Sequence, residues 1–278
     1  MGSMYALLKF VPKNSLSMLT GCLANVRIPS FLHQLLLHWY CRKYFVNLEE
    51  MELPLEAYHT LGAFFVRNLK AGVRPVGEGL VSPVDGKIQE HGVIEHDRLF
   101  QAKGKHYSLV DLVGSRQLAE KFNGGYYVTI YLAPGDYHHI HSPIEGKVTK
   151  SIYIPGTLWP VNQWSVRNVD NLFAINERLI SVVSSTAGEI LVVKVGATNV
   201  GSIGVEYDNF RTNSRFLRDN SAAVTREYPK PWIVAKGGRL GTFNLGSTVI
   251  LIMEPGRFKP GDLKVGEGVK FGQTLGQW

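Results

Sequence analysis

Three short stretches gather the residues able to do chemistry: SPVDG at 82–86, PGDYHHIHSP at 134–143 and FNLGSTVIL at 243–251. In the last, Gly246 has no side chain, so a neighbouring hydroxyl can approach its carbonyl and the backbone can take strained angles. Ser247 Oγ could attack that carbonyl and turn the amide into an ester. Removal of the Ser247 α-proton would then eliminate the ester, free the upstream chain as a carboxylate and leave dehydroalanine. Rearrangement with loss of ammonia would give an N-terminal pyruvoyl group. Gly-Ser-Thr alone is common and usually marks a turn, so the tripeptide needs partners elsewhere.

The histidine stretch is rarer. His138 and His141 are three residues apart, with His139 between them, and Pro134, Gly135 and Pro143 bracket the segment. In an extended strand His139 and His141 share one face and His138 points to the other. On a helical turn His138 and His141 would be neighbours instead. Asp85 lies in a Pro-Val-Asp-Gly turn signature. A carboxylate that orients an imidazole fixes its tautomer, so Asp85, His141 and Ser247 could form a hydrolase-like triad whose substrate is the chain itself. The rival reading is a zinc site, with the histidines joined by Asp85 or Asp136.

Strands must hold these stretches. From about residue 80, β-rich runs alternate with Gly, Pro, Asp and Asn breaks: KIQEHGVI, YYVTIYLA, GKVTKSIYI, LISVVSS, EILVVKVGA and STVILIME. The frequent breaks predict antiparallel pairing, and no clear helix separates consecutive strands, which disfavours a doubly wound parallel sheet. The expected fold is α+β, with a β-dominated, sandwich- or barrel-like catalytic domain over 61–278 after an N-terminal helical region over 1–60. Residues 208–232 read as a surface loop, and GDLKVGEGVKFGQTLG reads as a Gly-punctuated hairpin.

The first 48 residues contain no Asp or Glu but carry Lys9, Lys13, Arg27, Arg42 and Lys43. Within them FLHQLLLHWYCRKYFV at 31–46 predicts an amphipathic helix, with Leu32, Leu35, Leu36, Trp39 and Tyr40 on one face. Such a helix packs on its own domain, lies in a membrane interface or belongs to a mitochondrial transit peptide. No apolar run reaches the length of a spanning helix. The net charge of +7 suits nucleic acid, an anionic membrane or phosphate-bearing substrates alike. Cys22 and Cys41 are too few for a disulfide framework and read as reduced thiols.

Taken together the stretches resemble the phosphatidylserine decarboxylase family. The self-cleavage motif matches Leu245-Gly246-Ser247-Thr248. The aspartate motif is similar to Pro83-Val84-Asp85-Gly86, and the histidine motif to Tyr131-Leu132-Ala133-Pro134 followed by Asp136-Tyr137-His138 and His141. Further likeness runs through Ala102-Lys103-Gly104, Tyr107-Ser108-Leu109, Phe64-Phe65-Val66-Arg67, Asn176-Glu177-Arg178 and VGATNVGSI at 195–203, in consistent order over roughly 55–275. Arg239 departs from the pattern, standing where many members are acidic.

The resemblance implies a pyruvoyl-dependent carboxy-lyase with no metal and no nucleic-acid partner. It would cut itself between Gly246 and Ser247 into a β chain, 1–246, and an α chain, 247–278. Ser247 would be nucleophile and pyruvoyl precursor, His141 its base oriented by Asp85, and His138 a proton donor or positioning group in the later decarboxylation. The pyruvoyl group would form a Schiff base with phosphatidylserine, release carbon dioxide and give phosphatidylethanolamine. The resemblance also implies homodimers and a peripheral membrane protein, on the cytoplasmic face of a bacterial inner membrane or on the mitochondrial inner membrane. Lys103 and Lys105 are candidates for the lipid phosphate. Three other readings compete: a zinc hydrolase, a carrier module with a lysine at the C-terminal hairpin, and a decarboxylase of a soluble amino acid.

Overall fold

The structure, a computed structural model, describes residues 13–102, 104–198, 202–212, 222–244 and 247–278. Two helices lead, α1 (Lys13–Ala24) and α2 (Ser30–Tyr44), followed by the short α3 (Leu61–Phe65). The strands begin with β1 (Leu80–Val81), β2 (Gly86–Val93), β3 (Arg98–Ala102) and β4 (Lys105–Ser108). Helices α4 (Leu109–Val113) and α5 (Arg116–Phe122) lead into β5 (Tyr126–Leu132), β6 (His139–His141) and β7 (Gly146–Ile154). After α6 (Gln163–Asn168) and α7 (Leu172–Ile175) come β8 (Arg178–Ser185), β9 (Gly188–Val195), β10 (Ile203–Val205) and β11 (Asp208–Arg211). The chain closes with β12 (Val224–Val234), β13 (Arg239–Phe243), β14 (Ser247–Met253), β15 (Lys259–Pro260), β16 (Gly268–Val269) and β17 (Thr274–Gln277).

An eight-stranded sheet runs in the order β12-β7-β8-β9-β14-β5-β2-β16, and a four-stranded sheet in the order β11-β10-β13-β6. Each pairing of these strands is antiparallel. This is the β-dominated α+β architecture the breaks predict. Strand β14 sits between β9 and β5, and each of its residues is buried. A strand covered on both faces needs an unbroken apolar run, which VILIM supplies.

Three expectations are corrected. Residues 224–234 form the edge strand β12, paired with β7, rather than surface loop. Its mostly exposed charged residues hid the strand, and Pro229 and Pro231 fall at the register shift between Glu227 and Trp232, where an edge tolerates proline. The C-terminal stretch is not one hairpin: β16 pairs with β2 and β17 pairs with β1 and β15. In α2, His33, Leu37, Tyr40 and Cys41 are the buried residues, whereas Leu32, Leu35 and Trp39 are exposed. The Leu37 stripe has a seat, a small separate core with Met51, Leu55, Phe64 and Phe65; the Leu35 stripe has none.

Candidate active site

The turn between β5 and β6 fixes the histidines. Asp136 Oδ2 accepts the Ala133 N–H at 2.7 Å, closing the Pro-Gly turn. Arg67 donates to the Gly135 and Asp136 carbonyls at 2.6 and 3.2 Å, and the Tyr40 hydroxyl donates to the Pro134 carbonyl at 2.8 Å. The N-terminal small core therefore holds the loop from which the histidines project.

Hydrogen bonding assigns the three tautomers, because a carbonyl can only accept. His138 Nδ1 lies 2.8 Å from the Asp136 carbonyl, so it carries the proton and Nε2 is a bare lone pair. That Nε2 is buried without a hydrogen-bond partner among the described residues, and Phe65 packs against the ring with centroids 3.9 Å apart. His141 Nδ1 likewise donates to the Gly237 carbonyl at 2.7 Å, and its Nε2 receives the Tyr137 hydroxyl at 3.2 Å. His139 has the opposite tautomer: Nε2 donates to the Val66 carbonyl and Nδ1 accepts from Thr242. His139 is thus consumed in holding β6 to β13 and to α3. Gly237 has a φ of +77°, and a Cβ there would lie 2.6 Å from Val76, so its carbonyl reaches His141 only with glycine at that position.

Burial pushes all three imidazoles down: His138 to about 3, with Arg67 nearby adding to the effect, and His139 and His141 to about 4. At neutral pH each is uncharged.

Asp85 is almost fully buried and does not hydrogen-bond His141. Arg74 meets both its carboxylate oxygens, at 3.1 and 2.7 Å, Lys270 approaches at 3.3 Å, and the Phe271 N–H donates at 2.8 Å. The expected direct orientation is replaced by an indirect one. Phe271, held by Asp85 through its backbone, stacks on the His141 ring with centroids 3.7 Å apart and 16° between planes.

Ser247 opens β14, opposite Leu132 of β5. It has no solvent exposure, and its Oγ has no hydrogen-bond partner among the described residues. Phe243, four residues before Ser247 in sequence, donates its N–H to the His138 carbonyl at 3.0 Å. His141 pairs with Arg239, at the other end of β13. Leu245, Gly246 and Lys103 lie outside the described residues. Lys105 is engaged by Asp170 at 2.5 Å.

Tyr137, Phe271, Arg74 and Gly237 were not singled out as site residues from the sequence. Phe271 meets Asp85 across 186 residues and Gly237 meets His141 across 96, separations no local pattern marks. Tyr137 and Arg74 are near their partners in sequence, but nothing in their residue types assigns the contact. Asn176 and Arg178, part of the resemblance, prove structural. Asn176 bonds Trp159 and Gly196, and Arg178 bonds the Asp111, Leu112 and Asn176 carbonyls.

Comparison with known proteins identifies the family. A family model described as phosphatidylserine decarboxylase matches residues 61–277. The phosphatidylserine decarboxylase proenzyme of Myxococcus xanthus is 41% identical over 274 residues, covering 97% of this chain and 96% of the relative. The proenzyme of Anaeromyxobacter sp. is 44% identical with the same coverage, and that of Ectopseudomonas mendocina is 40% identical over 96% of this chain and 94% of its own. The class is that of the carboxy-lyases. The chain belongs to the phosphatidylserine decarboxylase family.

Proposed function

We propose that this chain is a proenzyme that cuts itself between Gly246 and Ser247 and then decarboxylates phosphatidylserine to phosphatidylethanolamine. The observation that carries the reading is Ser247 Oγ, sealed in the sheet at the junction with no partner among the described residues. A buried hydroxyl left unpaired costs about 1–3 kcal/mol, a cost that a reacting group repays in chemistry.

In the first step Ser247 Oγ attacks the Gly246 carbonyl carbon and the peptide bond shifts to an ester. Elimination across the Ser247 Cα–Cβ bond expels the Gly246 carboxylate, and hydrolytic loss of ammonia leaves a pyruvoyl terminus on residue 247. His141, set by Asp85 through Phe271, is the base for Ser247. In the arrangement described here its Nε2 holds the Tyr137 hydroxyl, so the step exchanges that hydrogen bond for Ser247 Oγ.

Ser247 fits the pyruvoyl role because it starts a fully buried strand that keeps its two neighbours, β5 and β9, after the cut. The pyruvoyl group supplies an electron sink for the carbanion left when carbon dioxide departs. The chain supplies the rest. His138, neutral with its Nε2 lone pair bare, takes a proton that the substrate's ammonium group gives up and delivers it to the substrate α-carbon. Phe65 against the ring keeps water from that nitrogen.

The exposed apolar residues of the N-terminal helices support a site that works at a membrane surface. Leu19, Leu23, Phe31, Leu35, Trp39 and Phe45 are all more than half exposed, with Arg42 and Lys43 exposed alongside. Apolar area of that extent, beside basic side chains and free of acids, suits an anionic lipid interface. Among the described residues no helix is long and apolar enough to cross a membrane, so the association proposed is peripheral, on the cytoplasmic face of a bacterial inner membrane. A homodimer belongs to the same proposal. The test is carbon dioxide release from vesicles containing phosphatidylserine. Wild-type chain is expected to release it and Ser247→Ala is not; equal release by both overturns the reading.

A further inference from the structure

Beside the site lies a cavity of about 500 Å³, within the size range of small-ligand pockets. One wall is α1 and the turn after it, through Cys22, Ala24 and Asn25; the opposite wall carries Ser202, Arg211 and Asn244. Asn244 is tied in place, its amide donating to Ser202 Oγ at 2.9 Å, and lies three residues before Ser247. Phe65 lines the cavity and packs against His138. The cavity therefore reaches, through Phe65, the residue that packs on His138.

Among the described residues, Arg211 is the one charged residue of this lining. Its guanidinium makes no ion pair or hydrogen bond with any described residue. Of the guanidiniums nearer the histidines, Arg74 is committed to Asp85 and Glu50 and Arg239 to Asn68, while Arg67 gives Nη2 to two carbonyls and lies buried, away from the cavity lining. Arg211 is also exposed, which puts it at the mouth, with Phe65 deeper.

Next to this cavity is a second, of about 320 Å³, which shares Ala24 with the first. Its lining is mainly apolar, with Leu23, Val26, Ile28, Leu36 and Leu61. A polar cavity with a guanidinium that no described residue engages, adjoining an apolar groove across a shared alanine, has the two-part chemistry of one phospholipid molecule.

We infer that the two cavities bind the substrate lipid as a unit. The phosphodiester sits on the Arg211 guanidinium, the serine headgroup points inward along Phe65 toward Ser247, and an acyl chain lies in the groove of Leu23, Val26 and Leu36. Charge-assisted pairing of guanidinium with phosphate oxygens is the strong, geometrically specific contact here; the groove contributes burial of methylenes. The inference rests on the proposed decarboxylation for the identity of the lipid, but not for the binding itself.

The test separates the two. Ser247→Ala, which cannot cut itself, is titrated with short-chain phosphatidylserine below its micellar concentration, with and without Arg211→Ala or Arg211→Lys. Binding is expected to weaken by about tenfold or more with alanine and to recover in part with lysine. Soluble glycerophosphoserine should compete with the lipid; competition by inorganic phosphate as strong as that by glycerophosphoserine would assign Arg211 to a free anion and overturn the lipid assignment. In the otherwise wild-type chain, Arg211→Ala should raise KM about tenfold with kcat little changed, and self-cleavage serves as the folding control. Unchanged binding and unchanged KM in Arg211→Ala overturn the inference while leaving the decarboxylase reading intact. Arg211-dependent lipid binding in a wild-type chain that releases no carbon dioxide leaves the inference standing and overturns the decarboxylase reading.

Discussion

Asp85 is linked to His141 through Phe271: the carboxylate accepts the Phe271 N–H at 2.8 Å, and the Phe271 ring lies flat on the imidazole. Phe271 and its neighbour Lys270 belong to the segment after the proposed cut, and Asp85 to the segment before it. The same contacts that orient the imidazole therefore hold the two pieces together.

Phe271→Leu keeps the backbone N–H but removes the flat ring. Self-cleavage is expected to slow by about tenfold, while Asp85→Asn, which leaves Arg74 with Glu50 alone, slows it by about a hundredfold and destabilises the fold by roughly 3 kcal/mol. Gel bands over time and urea unfolding measure the two effects. Equal, wild-type cleavage rates in both would remove Asp85 and Phe271 from the account.

Tyr137→Phe deletes the hydroxyl that occupies His141 Nε2. If that bond only competes with Ser247, cleavage proceeds at or above the wild-type rate. A tenfold loss would instead make Tyr137 a required link between His141 and the serine.

The buried histidines predict acid sensitivity. In the unfolded chain each titrates near 6.5, whereas in the fold burial holds them at about 3 to 4. Between those values the unfolded state binds more protons, so stability falls as pH drops from about 6.5 to about 4. Glu90, pushed by burial up to about 7, works in the opposite direction over much of that window, but three histidines outnumber it. Denaturant midpoints across pH 4 to 7 check the sign, and His138→Gln should reduce the slope by up to about 1.4 kcal/mol per pH unit.

Lys194 is fully buried in β9, donating to Ser181 Oγ, and burial pushes its amine down to about 7. From about pH 7 to 10.4 the unfolded chain binds the extra proton, so this residue makes stability rise with pH there. Lys194→Met should flatten that rise and add roughly 1–3 kcal/mol at pH 7. Thermal unfolding at pH 7 and 9 measures both.

Much of the frame was legible because strands leave a local signature. YYVTIYLA, GKVTKSIYI and STVILIME became β5, β7 and β14 almost residue for residue, and His139 and His141 share a strand as the extended reading required. Strand β12 was not legible, since an exposed edge carries no apolar alternation. Helices α4 and α5 were too short to show a period. At the site, the chemical residue types could be named from the sequence, but the partners that set them could not. Whether a carboxylate touches an imidazole, an arginine or a backbone N–H depends on contacts 186 residues apart, as between Asp85 and Phe271.

The central claim is the cut at Gly246–Ser247, and the intact mass of the denatured protein tests it most directly. The account predicts two species, residues 1–246 and residues 247–278, the shorter with a pyruvoyl in place of its first residue, and a single 31.0 kDa chain for Ser247→Ala. A single 31.0 kDa species from active wild-type protein, or the same two fragments from Ser247→Ala, would contradict it.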